Sequence, residues 1–93
     1  MVTVFITFVV ENFIEWKRIF DSNKELRKEV GIKTIGIYVL ASDADQIECV
    51  VEAPSIEAFE KHFFSNPKVS EALKKQAIVK EPVIKYYNKI SDI

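Results

Sequence analysis

The sequence from Val2 to Trp16, "VTVFITFVVENFIEW", joins a run of mostly apolar residues to the start of a helix. β-branched and aromatic residues dominate residues 2–10, which predicts a strand. One face of this strand is wholly apolar, and the other combines Phe5 and Val9 with two threonines. A strand of this kind is buried on both faces, or nearly so, and we therefore expect it to lie inside a sheet.

The strand leads into a predicted helix over residues 11–31, "ENFIEWKRIFDSNKELRKEVG". Asn12 is placed to accept a hydrogen bond from a free backbone amide, and Glu15 follows three residues later, as in a capping box. Gly31 supplies the left-handed residue that commonly follows the last turn of a helix. Because the residues "DSN" at 21–23 are weak helix formers, we expect a loosened turn there.

The next segment predicts a β-hairpin, with strands over residues 32–42 and 47–53 and a turn in "SDADQ". Acidic and amide side chains favour turns because they bond to the local backbone. In the second of these strands, alternation places Ile47, Cys49 and Val51 on one face and two glutamates with a valine on the other.

The second half of the chain predicts a helix, a break, a short helix and a last strand. Ser55 is the expected cap of the first helix. The sequence "SNP" at residues 65–67 interrupts that helix, because a residue before proline resists the helical conformation. Asn66 then caps the short helix, with Pro67 at its first position. The last strand, in "EPVIKYYNKI", is expected to begin after Pro82.

The order β-α-β-β-α-β predicts an α+β, ferredoxin-like fold in one domain over residues 1–93. Its four-stranded antiparallel sheet carries the helices on one face. The opposite face, here called the open face, is predicted to hold Thr3, Phe5, Thr7, Thr34, Gly36, Tyr38, Glu48, Val50, Glu52, Lys85, Tyr87 and Lys89. This face is too aromatic to remain bare and too polar for a dry core. We therefore expect a second copy of the chain to cover it, giving a homodimer.

Composition narrows the classes of function. The 93 residues are 48% hydrophobic and 29% charged, as in a globular domain. A net charge of −1 argues against a nucleic-acid partner. The run "MVTVFITFVV" is too short to span a bilayer and lacks the basic segment of a signal peptide, so no membrane partner is expected. Cys49 is the only cysteine, which favours a reducing compartment, and we expect a cytoplasmic protein.

The sequence lacks the motifs of several other proteins with this topology. "QIECVVEA" has no basic, aromatic signature of an RNA-recognition domain, and "VVENF" offers no phosphate cradle. A metal chaperone of this topology would need paired cysteines. No P-loop and no dinucleotide-binding fingerprint occurs in the sequence. We therefore expect neither a metal nor a cofactor.

Three longer stretches carry a resemblance to a known superfamily: "FIEWKRIFDSN", "RKEVGIKTIGIYV" and "FEKHFFSNPKVSEALKKQAIVKEPVIKYY". Together they are similar to the dimeric α/β-barrel superfamily, which includes antibiotic-biosynthesis-monooxygenase-like domains and small cyclase-like proteins. The resemblance covers nearly the whole chain and implies a ligand pocket between helices and sheet. Members of the superfamily include cofactor-independent oxygenases, isomerases, haem-degrading enzymes and proteins without an assigned activity. The resemblance therefore implies the fold more firmly than the chemistry.

The only histidine, His62, lies in "FEKHFFSNPKV". If Ile56, Phe59 and Phe63 form the buried stripe of the helix, His62 falls on its flank, about 80° from the centre. There it either faces the implied pocket, as a general base or haem ligand, or stays partly exposed beside an aromatic core. His62 is the candidate catalytic residue.

The candidates for binding a small apolar ligand are Trp16, Phe20, Asn23, Arg27, Phe59 and Phe63. Trp16 and Phe20 fit the buried stripe of the first helix, as core residues or as the wall for a planar ligand. Asn23 and Arg27 are four residues apart. They form either a polar pair facing a pocket or a surface pair, with the arginine stem lying along the protein. Cys49 is expected to be a buried apolar residue.

Two functions remain open. The first is a dimeric protein that performs no chemistry and binds either a small apolar ligand between helices and sheet or no ligand. The alternative is a cofactor-independent monooxygenase, cyclase or isomerase acting on an aromatic or polyketide-like molecule. In such an enzyme His62 would act together with Arg27 or Asn23. The volume beside His62 distinguishes the two, because the enzyme needs an enclosed space of a few hundred Å³.

Overall fold

The computed structural model describes residues 1–75 and 78–92. The elements along the chain are β1 (Val2–Val10), α1 (Phe13–Ser22), α2 (Lys24–Glu29), β2 (Lys33–Leu40), β3 (Asp43–Ala53), α3 (Ile56–Ser65), α4 (Pro67–Lys75) and β4 (Ile78–Tyr87). The four strands form one sheet in the order β2-β3-β1-β4, and each neighbouring pair is antiparallel. The predicted ferredoxin-like fold is confirmed, with each predicted helical region divided into two helices.

The core lies between the helices and one face of the sheet. Strand β1, at the centre, alternates strictly between buried and half-buried residues along its whole length. Its buried face meets α1, where the rings of Phe8 and Trp16 lie 5.4 Å apart. Trp16 in turn stacks on Phe20, with a centroid distance of 5.0 Å and an angle of 16° between the rings. This aromatic packing fixes the first helical region against the sheet.

The first helical region begins and breaks where polar side chains bind the backbone. The Oδ1 atom of Asn12 accepts a hydrogen bond of 3.0 Å from the Glu15 amide, as the cap prediction requires. At the other end of α1, the side chains of Ser22 and Asn23 both donate to the Ile19 carbonyl. Because these side chains compete with backbone amides for a helical carbonyl, α1 ends at Ser22 and α2 starts at Lys24. The expected loosened turn is confirmed.

Helix α2 ends in a Schellman motif around Gly31, which has a φ of 75°. The Gly31 amide donates to the Lys28 carbonyl, and the Ile32 amide donates to the Arg27 carbonyl at 2.9 Å. These two bonds satisfy carbonyls at the helix end. Ile32 is buried, so the motif also fixes the direction in which the chain enters β2.

The hairpin is confirmed, but its turn is shorter than predicted. Leu40 pairs with Asp43, so the turn consists of residues 41–42, and residues 43–46 already belong to β3. The predicted local bond is present, since the Asp43 carboxylate accepts from the Asp45 amide at 3.0 Å. This bond lies within β3 and not in a turn. The acidic segment 43–46 predicted a turn, although it forms the start of the strand.

A bulge in β2 corrects the predicted composition of the open face. The register shifts between Thr34 and Gly36, so Thr34 lies opposite Val51 on the helix side. Ile35 takes its place on the open face, beside Phe5 and other open-face residues. The prediction that Thr34 belongs to the open face is therefore wrong. Strict alternation fails at a bulge because one strand contributes an extra residue.

The second helical region follows the predicted caps. The Ser55 hydroxyl accepts from the Ala58 amide at 3.1 Å, and the Asn66 side chain accepts from the Lys68 amide at 3.0 Å. These bonds begin α3 and α4, with Pro67 as the first residue of α4.

The last strand starts earlier than predicted, at Ile78, and passes through Pro82. This strand lies at the sheet edge and pairs with β1 only. Its register shifts there, because Val83 lies opposite Thr7 while Lys80 lies opposite Val9. Pro82 therefore falls in a bulge on an edge strand, where a missing backbone donor costs little. The prediction that the strand begins after Pro82 is wrong for this reason.

Within the described part of the chain, no helix is both long enough and apolar enough to cross a membrane.

Candidate functional site

A cavity of about 60 Å³, here called the inner cavity, lies between the helices and the sheet. Its sheet side is apolar and consists of Ile6, Phe8, Cys49 and Val51. The remaining lining residues are Phe20, Asn23, Arg27, Ile32, Phe59, His62, Phe63 and Val69. Six of the seven candidate residues from the sequence therefore meet around one cavity. The sheet-side residues were not among the candidates, although alternation in β1 and β3 already placed them on the helix side.

Trp16 is the candidate that does not line the inner cavity. Its side chain is fully buried. It lies behind Phe20, on which it stacks, and it also contacts Phe8 and Phe13. Trp16 therefore supports the cavity wall rather than forming it.

His62 is buried, with 8% of its surface exposed. It lies on the buried stripe of α3 rather than on its flank, because Ile56 at the helix start is 44% exposed and does not belong to that stripe. The stripe consists instead of Phe59, His62 and Phe63. The Nδ1 atom of His62 has no hydrogen-bond partner among the described protein groups. Burial, and then the positive charge of Arg27, lower the pKa of His62 below 6.5, so the imidazole is neutral at pH 7.

Arg27 is half-buried and lies over an aromatic ring. The central carbon of its guanidinium is 3.7 Å from the centroid of Phe20, within the range of a cation–π interaction. Its Nη1 atom donates a 2.8 Å hydrogen bond to the Phe20 carbonyl, near the end of α1. Burial lowers the pKa of Arg27 from its ordinary value, but the guanidinium stays charged near neutral pH. A fixed positive charge therefore lies at the edge of the inner cavity.

The polar groups beside His62 and Arg27 are not reactive. Asn23 donates its amide to the Ile19 carbonyl at 3.0 Å, so part of its hydrogen-bonding capacity serves the helix end. Burial raises the pKa of Cys49 to about 12. Its thiol is therefore protonated near neutral pH and fills space as an apolar group. Among the described residues, no three His, Cys, Asp or Glu side chains are grouped so as to hold a metal ion.

A second depression, here called the outer cleft, opens to solvent beside the inner cavity and has a volume of about 610 Å³. Phe20, Arg27 and Ile32 line both spaces, so these three residues separate them. The rest of the outer cleft is formed by Lys17, Asp21, Lys24, Lys28, Gly31, Lys33, Thr34 and Ile37. The cleft thus combines an apolar floor with a basic rim.

The open face of the sheet is a mixed surface. Phe5 and Tyr87 meet edge to face at 4.9 Å, and Tyr38 is 59% exposed. The Thr7 hydroxyl donates to the Glu48 carboxylate at 2.7 Å across β1 and β3. A depression of about 610 Å³ lies on this face, with Tyr38 and Tyr87 among its walls. Aromatic and charged side chains thus share one solvent-facing surface.

Several solved structures share this fold. A candidate antibiotic biosynthesis monooxygenase from Bordetella bronchiseptica superposes with a TM-score of 0.83 at 10% identity, over 97% of both chains. A similar protein from Caulobacter crescentus gives a TM-score of 0.77 at 16% identity, over 97% of this chain and 90% of that one. A third, from Nitrosomonas europaea, gives a TM-score of 0.76 at 11% identity, over 98% of this chain and 100% of that one. At these identities the similarity shows an antibiotic-biosynthesis-monooxygenase-like fold and no activity.

Sequence comparison gives the family. No curated protein sequence matches the chain. Residues 1–87, almost the whole chain, match the family described as a domain of unknown function, DUF3764. The chain therefore belongs to the DUF3764 family.

Proposed function

We propose that this DUF3764 protein is a homodimer that binds a small, mostly apolar molecule in the inner cavity. The observation that carries the proposal is the buried His62, whose Nδ1 atom has no described hydrogen-bond partner and which lies in a mostly apolar wall. Buried polar atoms normally have a partner, because leaving one unpaired costs about 1–3 kcal/mol. A ligand with one polar atom and an apolar body would supply that partner.

The size of the cavity supports a small ligand. A volume of about 60 Å³ has room for a few water-sized groups and not for a large molecule. A larger ligand would have to extend past Phe20 and Arg27 into the outer cleft, which shares both residues.

The alternative is a cofactor-independent monooxygenase, cyclase or isomerase, and two of the structural neighbours are described as candidate antibiotic biosynthesis monooxygenases. One observation favours it, since the neutral imidazole of His62 lines the inner cavity and can accept a proton from a bound substrate. Two observations favour binding alone. The inner cavity is smaller than the few hundred Å³ of a typical substrate site, and the Cys49 thiol remains protonated.

The dimeric part of the proposal rests on the open face. Tyr38, Tyr87 and Val83 are each about half exposed there, which is unusual for large side chains that share one surface. A twofold axis would pair this face with itself and would cover these residues in both copies.

Neutral alcohols, from ethanol to phenol, test ligand binding in an NMR titration. His62 and Trp16 are the only histidine and tryptophan, so their ring signals do not overlap with others of their kind. We expect saturable shifts of the His62 ring signals. Cys49→Ala, which enlarges the inner cavity, should tighten binding of the larger alcohols, and Cys49→Leu, which fills it, should weaken binding.

Linear, non-saturating shifts, or equal affinities in the Cys49→Ala and Cys49→Leu variants, would contradict binding in the inner cavity. Both substitutions are at Cys49. If Cys49→Leu does not fold, Cys49→Ala alone still tests whether a larger cavity tightens binding. A dispersed spectrum of each variant is the check that it is folded.

A further inference from the structure

We propose that the outer cleft recognises the carboxylate of an amphipathic ligand, whose apolar part lies toward the inner cavity. The position of the apolar part rests on the proposed function, whereas recognition of the anion rests on the cleft alone. The proposal thus narrows the ligand from any small apolar molecule to a monocarboxylate with an aromatic or aliphatic body.

The charges around the outer cleft are unbalanced. Among its described lining residues Asp21 is the only carboxylate, and Lys17 already binds it at 2.7 Å. Lys33 lies opposite Glu52 in the ladder, so its charge has a neighbour of opposite sign. The remaining positive groups of the cleft are Lys24, Arg27 and Lys28. The whole chain carries a net charge of −1, so this local excess does not reflect a basic protein.

The three groups are brought together by α2. Lys24 lies three and four residues before Arg27 and Lys28, which places all three on one side of the helix. Like charges at these spacings repel, and this repulsion destabilises a helix. Arg27 and Lys28 also lie in the last turn, where they interact favourably with the helix dipole, but Lys24 lies at the opposite end. A bound anion would relieve the repulsion among all three.

Arg27 is the group best placed to contact a carboxylate. Its guanidinium is held over the Phe20 ring and by the bond to the Phe20 carbonyl, which engages Nη1. A guanidinium has five N–H donors in a planar fork, and two of them can bind both oxygens of a carboxylate. Because Arg27 lines both spaces, an anion bound to it would place its attached apolar group beside Phe20 and Ile32.

The floor of the outer cleft favours an amphipathic molecule over a fully polar one. Phe20, Ile32 and Ile37 are its apolar residues. A phosphate or polyanion would gain little from this floor, whereas an aromatic or aliphatic carboxylate would bury its body on it.

The test compares 3-phenylpropionate with the neutral 3-phenylpropionamide, which has the same shape. Binding is measured by NMR titration of the backbone amides and of the Trp16 and His62 ring signals. We expect the carboxylate to bind about tenfold more tightly than the amide. Its affinity should fall as the salt concentration increases, because salt screens the charges. Arg27→Gln and Lys24→Gln should each reduce this preference. Lys80→Gln, which removes the same charge from β4 at the far edge of the sheet, should leave it unchanged.

Equal affinities for acid and amide would overturn anion recognition while leaving the inner cavity as a site for neutral ligands. Anion recognition would also be overturned if Lys80→Gln reduced the preference for the acid as much as Arg27→Gln and Lys24→Gln do. The preference would then reflect the net charge of the protein rather than the cleft. If the carboxylate shifts the α2 amides but not the His62 and Trp16 signals, anion recognition stands and the inner cavity is not the site of the apolar part. Failure of both probes to bind overturns this inference, and the alcohol titration then decides the proposed function separately.

Discussion

His62 combines two features that rarely occur together in a surface helix: it is buried, and one of its ring nitrogens has no described partner. Burial alone disfavours the imidazolium, and the positive charge of Arg27 disfavours it further. Both effects act in the same direction, so the folded protein holds the neutral base. This state suits a hydrogen bond to a ligand, and it also makes the stability of the fold depend on pH.

We expect the free energy of unfolding to fall as the pH decreases from about 8 to about 5.5, because the unfolded chain binds a proton at His62 more readily than the folded protein does. The pKa of His62 in the folded state lies below 6.5, so the loss begins near the unfolded value and stops growing once the folded imidazole also titrates. Urea unfolding across this range measures the slope, and NMR titration measures the imidazole pKa.

His62→Gln is the control, since it removes the titrating group while keeping a polar side chain. Its free energy of unfolding should change less over the same range of pH. An imidazole pKa at or above 6.5, or identical slopes for the two proteins, would show that His62 is hydrated in the folded state.

Residue patterns located most of the candidate site but not its geometry. Helical spacing and the unexpected polar residues on an apolar stripe singled out Phe20, Asn23 and Arg27, and all three line the inner cavity. The burial of His62 could not be predicted, because it depends on Ile56 being exposed at the helix start. The size of the cavity could not be predicted either, since it depends on how α3 and α4 pack on the sheet.

At the scale of elements, short-range signals determined where the helices begin and end. The side chains of Asn12, Ser55 and Asn66 bind the amides that their cap positions predict. Alternation along a single strand did not predict where the strands bulge. The bulges at Thr34 and Pro82 arise from the register of β2 on β3 and of β4 on β1, which a single strand does not encode.

Gly31 determines how α2 joins β2, and we expect Gly31→Ala to destabilise the protein by roughly 1–2 kcal/mol. Its φ of 75° lies in the left-handed region, which an alanine adopts only with strain. A Cβ at this position would also lie 3.2 Å from the Cγ atom of Pro54. Urea unfolding at constant pH measures the loss.

Gly31→Asn separates the two causes. Asparagine tolerates the left-handed conformation better than alanine but carries the same Cβ. A smaller loss in Gly31→Asn than in Gly31→Ala indicates that backbone strain dominates, and equal losses indicate the contact with Pro54. Full stability of Gly31→Ala would contradict the role assigned to this residue.

At the scale of the whole molecule, the two faces of the sheet differ in how they are covered. The helices bury one face and enclose the inner cavity, whereas the open face keeps Phe5, Tyr38 and Tyr87 at its surface. The molecule extends over 33 × 33 × 20 Å, so its broad face is large enough for the roughly 800 Å² that each partner contributes to a standard interface. Fold topology predicted this face, and the proposed second chain would cover it.

We expect light scattering at micromolar concentration to give about twice the 10.7 kDa mass of one chain. Tyr38→Ala should weaken the dimer by about 1–3 kcal/mol, because it removes a large, half-exposed aromatic side chain from the proposed interface. Tyr38 lies across Gly36, where a Cβ would come within 2.8 Å of its Oη atom, so the ring rests directly on the open face. Sedimentation equilibrium over a range of concentrations measures the change.

Phe64→Ala is the matched control. Phe64 is 58% exposed, almost the same as Tyr38 at 59%, but it lies on α3, on the other side of the sheet. Its removal should leave the dimer constant unchanged if the open face is the interface. A monomer mass for the wild-type chain would reject the dimer itself. A dimer weakened by Phe64→Ala and not by Tyr38→Ala would place the contact on the helices, where it would cover the approach to the inner cavity rather than the open face.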